Sequence, residues 1–162
     1  MEKKKLNGIL KLLVSIIICQ SAGFIGSFFT TPAIPTWYAT LNKPFFTPPN
    51  GIFSPVWISL YVLMGVSAFF VWNKGLNVSG VKRALIIFGI QLILNPLWSL
   101  VFFGLRSPVF GFIEISILWI FIFLTLVNFF KMSRIAGFLL LPYIFWVSFA
   151  ALLNFSIWRL NI

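Results

Sequence analysis

Residues 108–130 read PVFGFIEISILWIFIFLTLVNFF, an apolar run that contains one acidic side chain, Glu114. A transmembrane helix needs about 20 predominantly apolar residues, because each residue adds about 1.5 Å across a hydrocarbon core of about 30 Å. A backbone in hydrocarbon must also satisfy its own hydrogen bonds, which a helix does. This stretch therefore predicts a helix that spans a membrane.

Four further runs of similar length lie around this one. Of the 162 residues, 60% are hydrophobic and 9% are charged, whereas a soluble domain carries about 25% charged residues. The first run is longer than the apolar part of a signal peptide and lacks a cleavage site after it, so a retained helix is predicted. We therefore predict an all-α membrane protein with a single transmembrane domain over residues 1–162, a bundle of five transmembrane helices at roughly 6–29, 53–72, 84–103, 108–130 and 135–158.

The basic residues lie in the gaps between the apolar runs. The net charge is +10, but the basic residues form no single face, so a nucleic-acid partner is not predicted. The amino-terminal tail and the second and fourth connections hold most of them, whereas the opposite side holds Lys43, Arg106 and Arg159. The positive-inside rule then places the amino terminus in the cytoplasm and the carboxyl end outside. A helical bundle favours a bacterial inner membrane over an outer membrane.

The first connection, about residues 30–52, is long and stiff. Six of the nine prolines lie within residues 32–55, and proline restricts the backbone. Aromatic side chains in the same segment need burial. We expect the loop to act as a lid over one mouth of the bundle, with an aromatic segment at the lipid interface as the alternative. The residues assigned to the lid are Trp37, Lys43, Pro44, Pro48 and Pro49.

Polar residues recur inside the third run. Gln91, Asn95 and Ser99 are spaced by four, which places them on one helix face. The second and fifth runs likewise set aromatic residues beside polar or small ones. Two interpretations remain open from spacing alone: an interior cavity, or hydrogen bonds and aromatic packing that hold the helices together.

The residue inventory excludes several chemistries. The chain has no histidine, which removes imidazole metal sites, histidine-based acid–base catalysis and histidine ligation of haem. The sequence contains no carboxylate pair and no glycine-rich phosphate loop. We therefore predict no catalytic residue from side-chain acid–base chemistry, no metal site and no required cofactor.

Four ordered motifs resemble the tryptophan-rich sensory protein family, which includes the mitochondrial translocator protein, once called the peripheral benzodiazepine receptor. They span most of the chain and read Trp37-Tyr38-x-x-Leu41-x-Lys43-Pro44-x-Phe46-x-Pro48-Pro49; Pro55-x-Trp57-x-x-Leu60-Tyr61-x-x-Met64-Gly65; Gln91-x-x-x-Asn95-x-x-Trp98-Ser99-x-x-Phe102-Phe103; and Leu141-Pro142-Tyr143-x-x-Trp146-x-x-Phe149-Ala150-x-x-Leu153-Asn154.

This resemblance implies a five-helix bundle with a pocket beneath the first loop. Family members bind porphyrins such as protoporphyrin IX, and isoquinoline- and benzodiazepine-type ligands. Trp57 and Trp146 match tryptophans linked in bacterial relatives to light-dependent porphyrin breakdown. Matched to this sequence, the ligand-binding residues would be Tyr38, Trp57, Asn95, Trp98, Trp146, Ala150 and Leu153.

The resemblance thus implies a membrane receptor or sensor for porphyrins, with a porphyrin or lipid transporter as the first alternative and a photochemical porphyrin-degrading enzyme, using Trp57 and Trp146, as the second. The cholesterol motif of the family's animal members needs a tyrosine before a basic residue. Here Trp158-Arg159 follows Ile157, so sterol binding is not predicted. A homodimer is often found in the family. The third run offers only Ala84 and Gly89, five apart, for the proposed dimer surface, so the homodimer rests on the resemblance alone.

Overall fold

The computed structural model describes residues 2–162, and their side chains from Leu6 onward. The described residues form the α-helices α1 (Glu2–Ala33), α2 (Trp37–Thr40), α3 (Asn50–Trp72), α4 (Val81–Ser99), α5 (Pro108–Met132) and α6 (Arg134–Leu160). A π-helical segment, Leu100–Gly104, continues α4. Five of these helices, all except the single turn α2, are long and apolar enough to cross a membrane. The prediction of an all-α bundle of five transmembrane helices is confirmed.

Each of the five long helices covers one predicted apolar run, with the π-helical segment counted as part of α4, and extends a few residues beyond it at one or both ends. Local capping explains two of the boundaries. The Ser107 hydroxyl accepts a hydrogen bond from the Phe110 amide before α5, and the Ser133 hydroxyl accepts one from the Ala136 amide before α6. Pro108 occupies the first turn of α5, where its missing N–H costs nothing. The first connection, predicted over about residues 30–52, is shorter in the structure, because α1 continues to Ala33 and α3 begins at Asn50.

The helices pack in a defined pattern. α5 packs against α4 and α6, α1 packs against α3 and α4, and α3 packs against α6. Glycine allows the closest approach of α1 to α3, since a methyl group added at Gly65 would lie 2.6 Å from the Ile16 Cα atom. Gly23 likewise lies against the Tyr61 ring, and Gly26 against Ser99. Small residues thus let α1 approach its neighbours closely at two positions, Gly23 and Gly26.

The apolar interior has two parts. The larger runs through the middle of the bundle and includes Met64, Ile122 and Val147, all fully buried. The smaller lies at the end where α1 meets α2, and contains Ala33, Tyr38, Phe102, Phe103, Leu153 and Ile157. The first connection closes this end of the bundle, which positions the site described next.

Candidate functional site

A cavity of about 460 Å³ lies inside the bundle beneath the first connection. Its size falls within the range of about 300–1,000 Å³ that is usual for small-molecule sites. Helices α1, α2, α3, α4 and α6 contribute to its wall. The lining residues of α1 are Gln20, Gly23, Phe24, Gly26, Ser27, Thr30 and Thr31, and those of the rest of the chain are Ile34, Tyr38, Asn50, Phe53, Ser54, Trp57, Ile58, Tyr61, Asn95, Trp98, Ser99, Phe102, Phe103, Trp146, Ala150, Leu153, Asn154 and Ile157.

All seven residues predicted to bind ligand line this one cavity. They come from four helices and span 116 positions of sequence, from Tyr38 to Leu153. That they contact a ligand stays a prediction, but the fold places them around a common space. The polar face of the third run divides: Asn95 and Ser99 line the cavity, whereas Gln91 is fully buried outside its wall.

Aromatic rings form much of the wall. Trp57 stacks on Tyr61 with ring centroids 5.7 Å apart, and Trp98 stacks on Phe102 at 5.4 Å. Trp146 meets Phe53 edge to face at 6.1 Å. The rings are thus packed against one another, and together they give the cavity an aromatic wall.

A chain of hydrogen bonds runs from the cavity wall into the core. The Tyr61 hydroxyl donates to the Asn95 amide oxygen, and the Asn95 amide nitrogen donates to the Tyr143 hydroxyl at 2.9 Å. Tyr143 in turn donates to the Gln91 amide oxygen at 2.9 Å. Asn95 is therefore part of the cavity wall and also links α3, α4 and α6. At this residue both interpretations of the polar face hold, the interior cavity and the hydrogen bonds between helices.

A second polar link, which begins at Trp98 of α4, joins α4, α5 and α6. The Trp98 indole N–H donates to the Asn154 amide oxygen at 3.1 Å, and the Asn154 amide nitrogen donates to the Pro108 carbonyl at 2.7 Å. The Trp146 indole nitrogen is buried and has no hydrogen-bond partner within the described chain. Trp98 is thus held in place by a partner, whereas Trp146 keeps an unused donor.

The residues predicted for the lid lie outside the cavity wall. Trp37 packs edge to face on Phe102 at 5.5 Å, and the Lys43 ammonium lies 4.8 Å from the centroid of the Tyr38 ring. Pro44, Pro48 and Pro49 belong to the same connection, and none of the three is among the lining residues. Tyr38 and Ile34 supply its inner surface instead. Burial raises the pKa of Tyr38 above the ordinary value, so its phenol stays neutral at physiological pH.

The contribution of α1 was missed in the sequence. Seven of its residues line the cavity, among them Gln20, whose side-chain amide donates to the Ile58 carbonyl of α3 at 2.9 Å. The small residues Gly23, Gly26 and Ser27 leave space for the cavity beside α1. A signal was available in the small and polar residues between Gln20 and Thr31, which recur too densely for a helix that faces only lipid.

The wall carries no charged side chain among its described residues. The described chain also contains no group of three or more metal-ligating side chains. Glu114 is buried on α5, outside the wall, and neither carboxyl oxygen has a hydrogen-bond partner among the residues described. The site is therefore suited to holding an uncharged, largely apolar body, with polar contact from amides and hydroxyls.

The fold and the site define an integral, multi-pass membrane protein with five membrane-spanning helices, four of which, α1, α3, α4 and α6, line an aromatic cavity. The chain belongs to the TspO/MBR family, whose profile matches residues 15–159. The family resemblance drawn from the four motifs is thereby confirmed, and the family is one of membrane sensors and translocators.

Relatives from three domains of life resemble the chain over most of its length. It is 48% identical over 154 residues to the tryptophan-rich protein TspO of Archaeoglobus fulgidus, covering 94% of this chain and 98% of the relative. It is 36% identical over 148 residues to protein CrtK of Rhodobacter capsulatus, covering 91% of each. It is 34% identical over 142 residues to the translocator protein of Homo sapiens, covering 85% of this chain and 82% of the relative.

Proposed function

We propose that the protein is a membrane receptor that binds a porphyrin, such as protoporphyrin IX, in the cavity beneath the first connection. The observation that carries this proposal is the convergence of Tyr38, Trp57, Trp98 and Trp146 on one cavity of about 460 Å³. A tetrapyrrole is flat and offers large π faces. Each well-placed aromatic contact adds roughly 0.5–1.5 kcal/mol to simple burial, so four such rings favour this class of ligand.

The polar groups near the cavity suggest how the ligand is oriented. The macrocycle is apolar and fits the uncharged wall, while its two propionates need donors or solvent. The Lys43 ammonium lies outside the wall, 4.8 Å from the ring centroid of the lining residue Tyr38, and a charge-assisted hydrogen bond to a carboxylate is about twice as strong as a neutral one. We place the propionates toward Lys43.

The test is a titration of the purified protein with protoporphyrin IX in detergent. Tryptophan quenching is followed in the dark and porphyrin absorbance under light, for the wild type and for Trp57→Phe/Trp146→Phe. Saturable quenching with stable absorbance supports a receptor. Light-driven loss of the porphyrin that the double variant abolishes would replace the receptor by a photochemical enzyme. Quenching that never saturates would refute the porphyrin proposal.

A second titration isolates the propionates. Lys43→Gln is expected to weaken binding of protoporphyrin IX and to leave binding of its dimethyl ester unchanged, because the ester has no carboxylates. Lys74→Gln is the matched control, since Lys74 follows α3 at the opposite end of the bundle. An equal effect of Lys43→Gln on both ligands would show that Lys43 supports the loop rather than the carboxylates.

The orientation in the membrane follows from the helix order. With α1, α3, α4, α5 and α6 crossing in turn, the amino terminus and the connections at 73–80 and at Ser133 share one end. That end carries most of the lysine and arginine residues, so we place it in the cytoplasm and the cavity mouth outside, in a bacterial inner membrane. Reporter fusions at each terminus test this: a periplasmically active reporter should work only at the carboxyl end.

A further inference from the structure

A second, smaller groove lies at the opposite end of the bundle from the cavity mouth. It has a volume of about 180 Å³ and lies between α1, α3 and α4. Its lining residues are Ser15, Ile18, Ala68, Trp72, Leu85, Phe88, Gly89 and Leu92. The groove is below the range of about 300–1,000 Å³ usual for ring-containing ligands, and its wall is almost wholly apolar. A narrow apolar groove of this kind suits a single acyl chain.

A basic side chain, that of Lys11, lies beside the groove wall at Trp72. The Lys11 ammonium lies 5.8 Å from the centroid of the Trp72 ring, and Trp72 belongs to the groove wall. Lys11, Ser15 and Ile18 are spaced by four and three on α1, so they share one helix face. Helix geometry and the proximity of the Lys11 ammonium to the Trp72 ring thus both place Lys11 beside the groove.

A second lysine has the corresponding place on α4. Lys82 is exposed and lies three residues before Leu85, seven before Gly89 and ten before Leu92, so it continues the face of α4 that lines the groove. From Leu6 onward the chain has one acidic residue, Glu114, and it lies on α5, which does not line the groove. Lys11 lies against the groove wall at Trp72, and Lys82 continues the α4 face that lines the groove; these two lysines are the cationic rim of the groove.

We propose that this groove, bounded by Lys11, Trp72, Lys82 and Gly89, binds one anionic phospholipid, with an acyl chain along α1, α3 and α4 and its phosphate between the two lysines. The charge complementarity selects this occupant: a zwitterionic lipid fills the apolar part equally well but gains less from the rim. The site is separate from the porphyrin cavity and does not depend on the function proposed for it.

The test compares dioleoylphosphatidylglycerol with dioleoylphosphatidylcholine, which have the same acyl chains and different charge. Native mass spectrometry of the detergent-solubilised protein counts the lipids bound during titration with each. The wild type is expected to bind the anionic lipid roughly fivefold more tightly. Lys11→Gln/Lys82→Gln should remove that preference. Lys131→Gln/Arg134→Gln is the matched control, because both residues are exposed at the same end, between α5 and α6, and it should retain the preference.

Filling the groove tests the apolar part separately. No atom lies within 4 Å of a methyl group built at Gly89, so Gly89→Leu can be accommodated and is expected to weaken binding of both lipids. Equal binding of the two lipids by the wild type would overturn the proposal, and so would an equal loss of preference in the control variant. If Gly89→Leu instead changes the oligomeric state and leaves lipid binding unchanged, the groove is an interface between copies, which also overturns it.

Discussion

Asn42, in the first connection, and Asn161, which follows α6, are joined by a reciprocal pair of hydrogen bonds. The Asn42 amide N–H donates to the Asn161 side-chain oxygen at 2.9 Å, and the Asn161 side-chain nitrogen donates to the Asn42 carbonyl at 2.9 Å. The Asn42 side chain also donates to the Leu160 carbonyl at 3.4 Å. The loop that covers the cavity is therefore attached to the end of the helix that forms one of its walls.

Removing this attachment should loosen the loop. Asn161→Ala deletes two hydrogen bonds to the loop, each worth about 0.5–1.5 kcal/mol, and we expect amide hydrogen exchange in residues 37–49 to accelerate by roughly fivefold or more. Mass spectrometry of exchange measures this without any ligand. Ser156→Ala is the control, since that hydroxyl bonds only to the Leu152 carbonyl of its own helix. Unchanged exchange in Asn161→Ala would show that aromatic packing alone holds the loop.

Replacing Asn95 should destabilise the bundle as well as alter the cavity. Asn95→Leu leaves the Tyr61 hydroxyl without its acceptor and removes the donor to Tyr143, so a loss of about 1–3 kcal/mol is expected. Thermal unfolding in detergent measures it. Asn128→Leu is the matched change, because the Asn128 amide bonds only to Leu124 of its own helix, and it should cost much less. Similar losses for both variants would contradict a structural role for the hydrogen-bond chain.

Alanine substitution at two glycines should have opposite effects. Gly65→Ala places a methyl group 2.6 Å from the Ile16 Cα atom and forces α1 and α3 apart, so it should destabilise by about 1–3 kcal/mol. Gly8 also lies on α1, but a methyl group added there has no neighbouring atom within 4 Å. Gly8→Ala should therefore be neutral or slightly stabilising, because alanine is more favourable than glycine in a helix by about 1 kcal/mol. Thermal unfolding distinguishes them, and a stabilising Gly65→Ala would contradict the described packing.

Filling the cavity should block the proposed ligand and spare the fold. Ser27 lines the cavity and bonds only to the Phe24 carbonyl of its own helix, so Ser27→Phe introduces a ring at little structural cost. We expect protoporphyrin IX to bind about tenfold more weakly or worse, since overlapping atoms exclude it. Ser21→Phe is the control, because Ser21 is exposed on the same helix and bonds only to Ile17. Equal affinities would place the ligand elsewhere.

Much of the site was predictable because its residues lie on regular helices. Asn95, Trp98 and Trp146 fall on faces that helical spacing defines, and the motif resemblance added Tyr38 and Trp57. The lid was predicted less well. Its prolines and aromatic residues indicated a rigid cover, but Trp37 packs on Phe102 and Phe103 outside the cavity, and only Tyr38 and Ile34 face inward. Loop side chains lack a fixed period, so their directions depend on what they pack against.

The sequence by itself determined the five spans and the membrane environment, because both depend on local composition and on the backbone's need to bond to itself in hydrocarbon. Only the tertiary structure decided which helices enclose the cavity, that α1 supplies a wall of it, and that Asn42 meets Asn161 across 119 positions. The physical reason is that these contacts follow from how helix surfaces fit together, and single-chain spacing carries no information about the neighbour a face will meet.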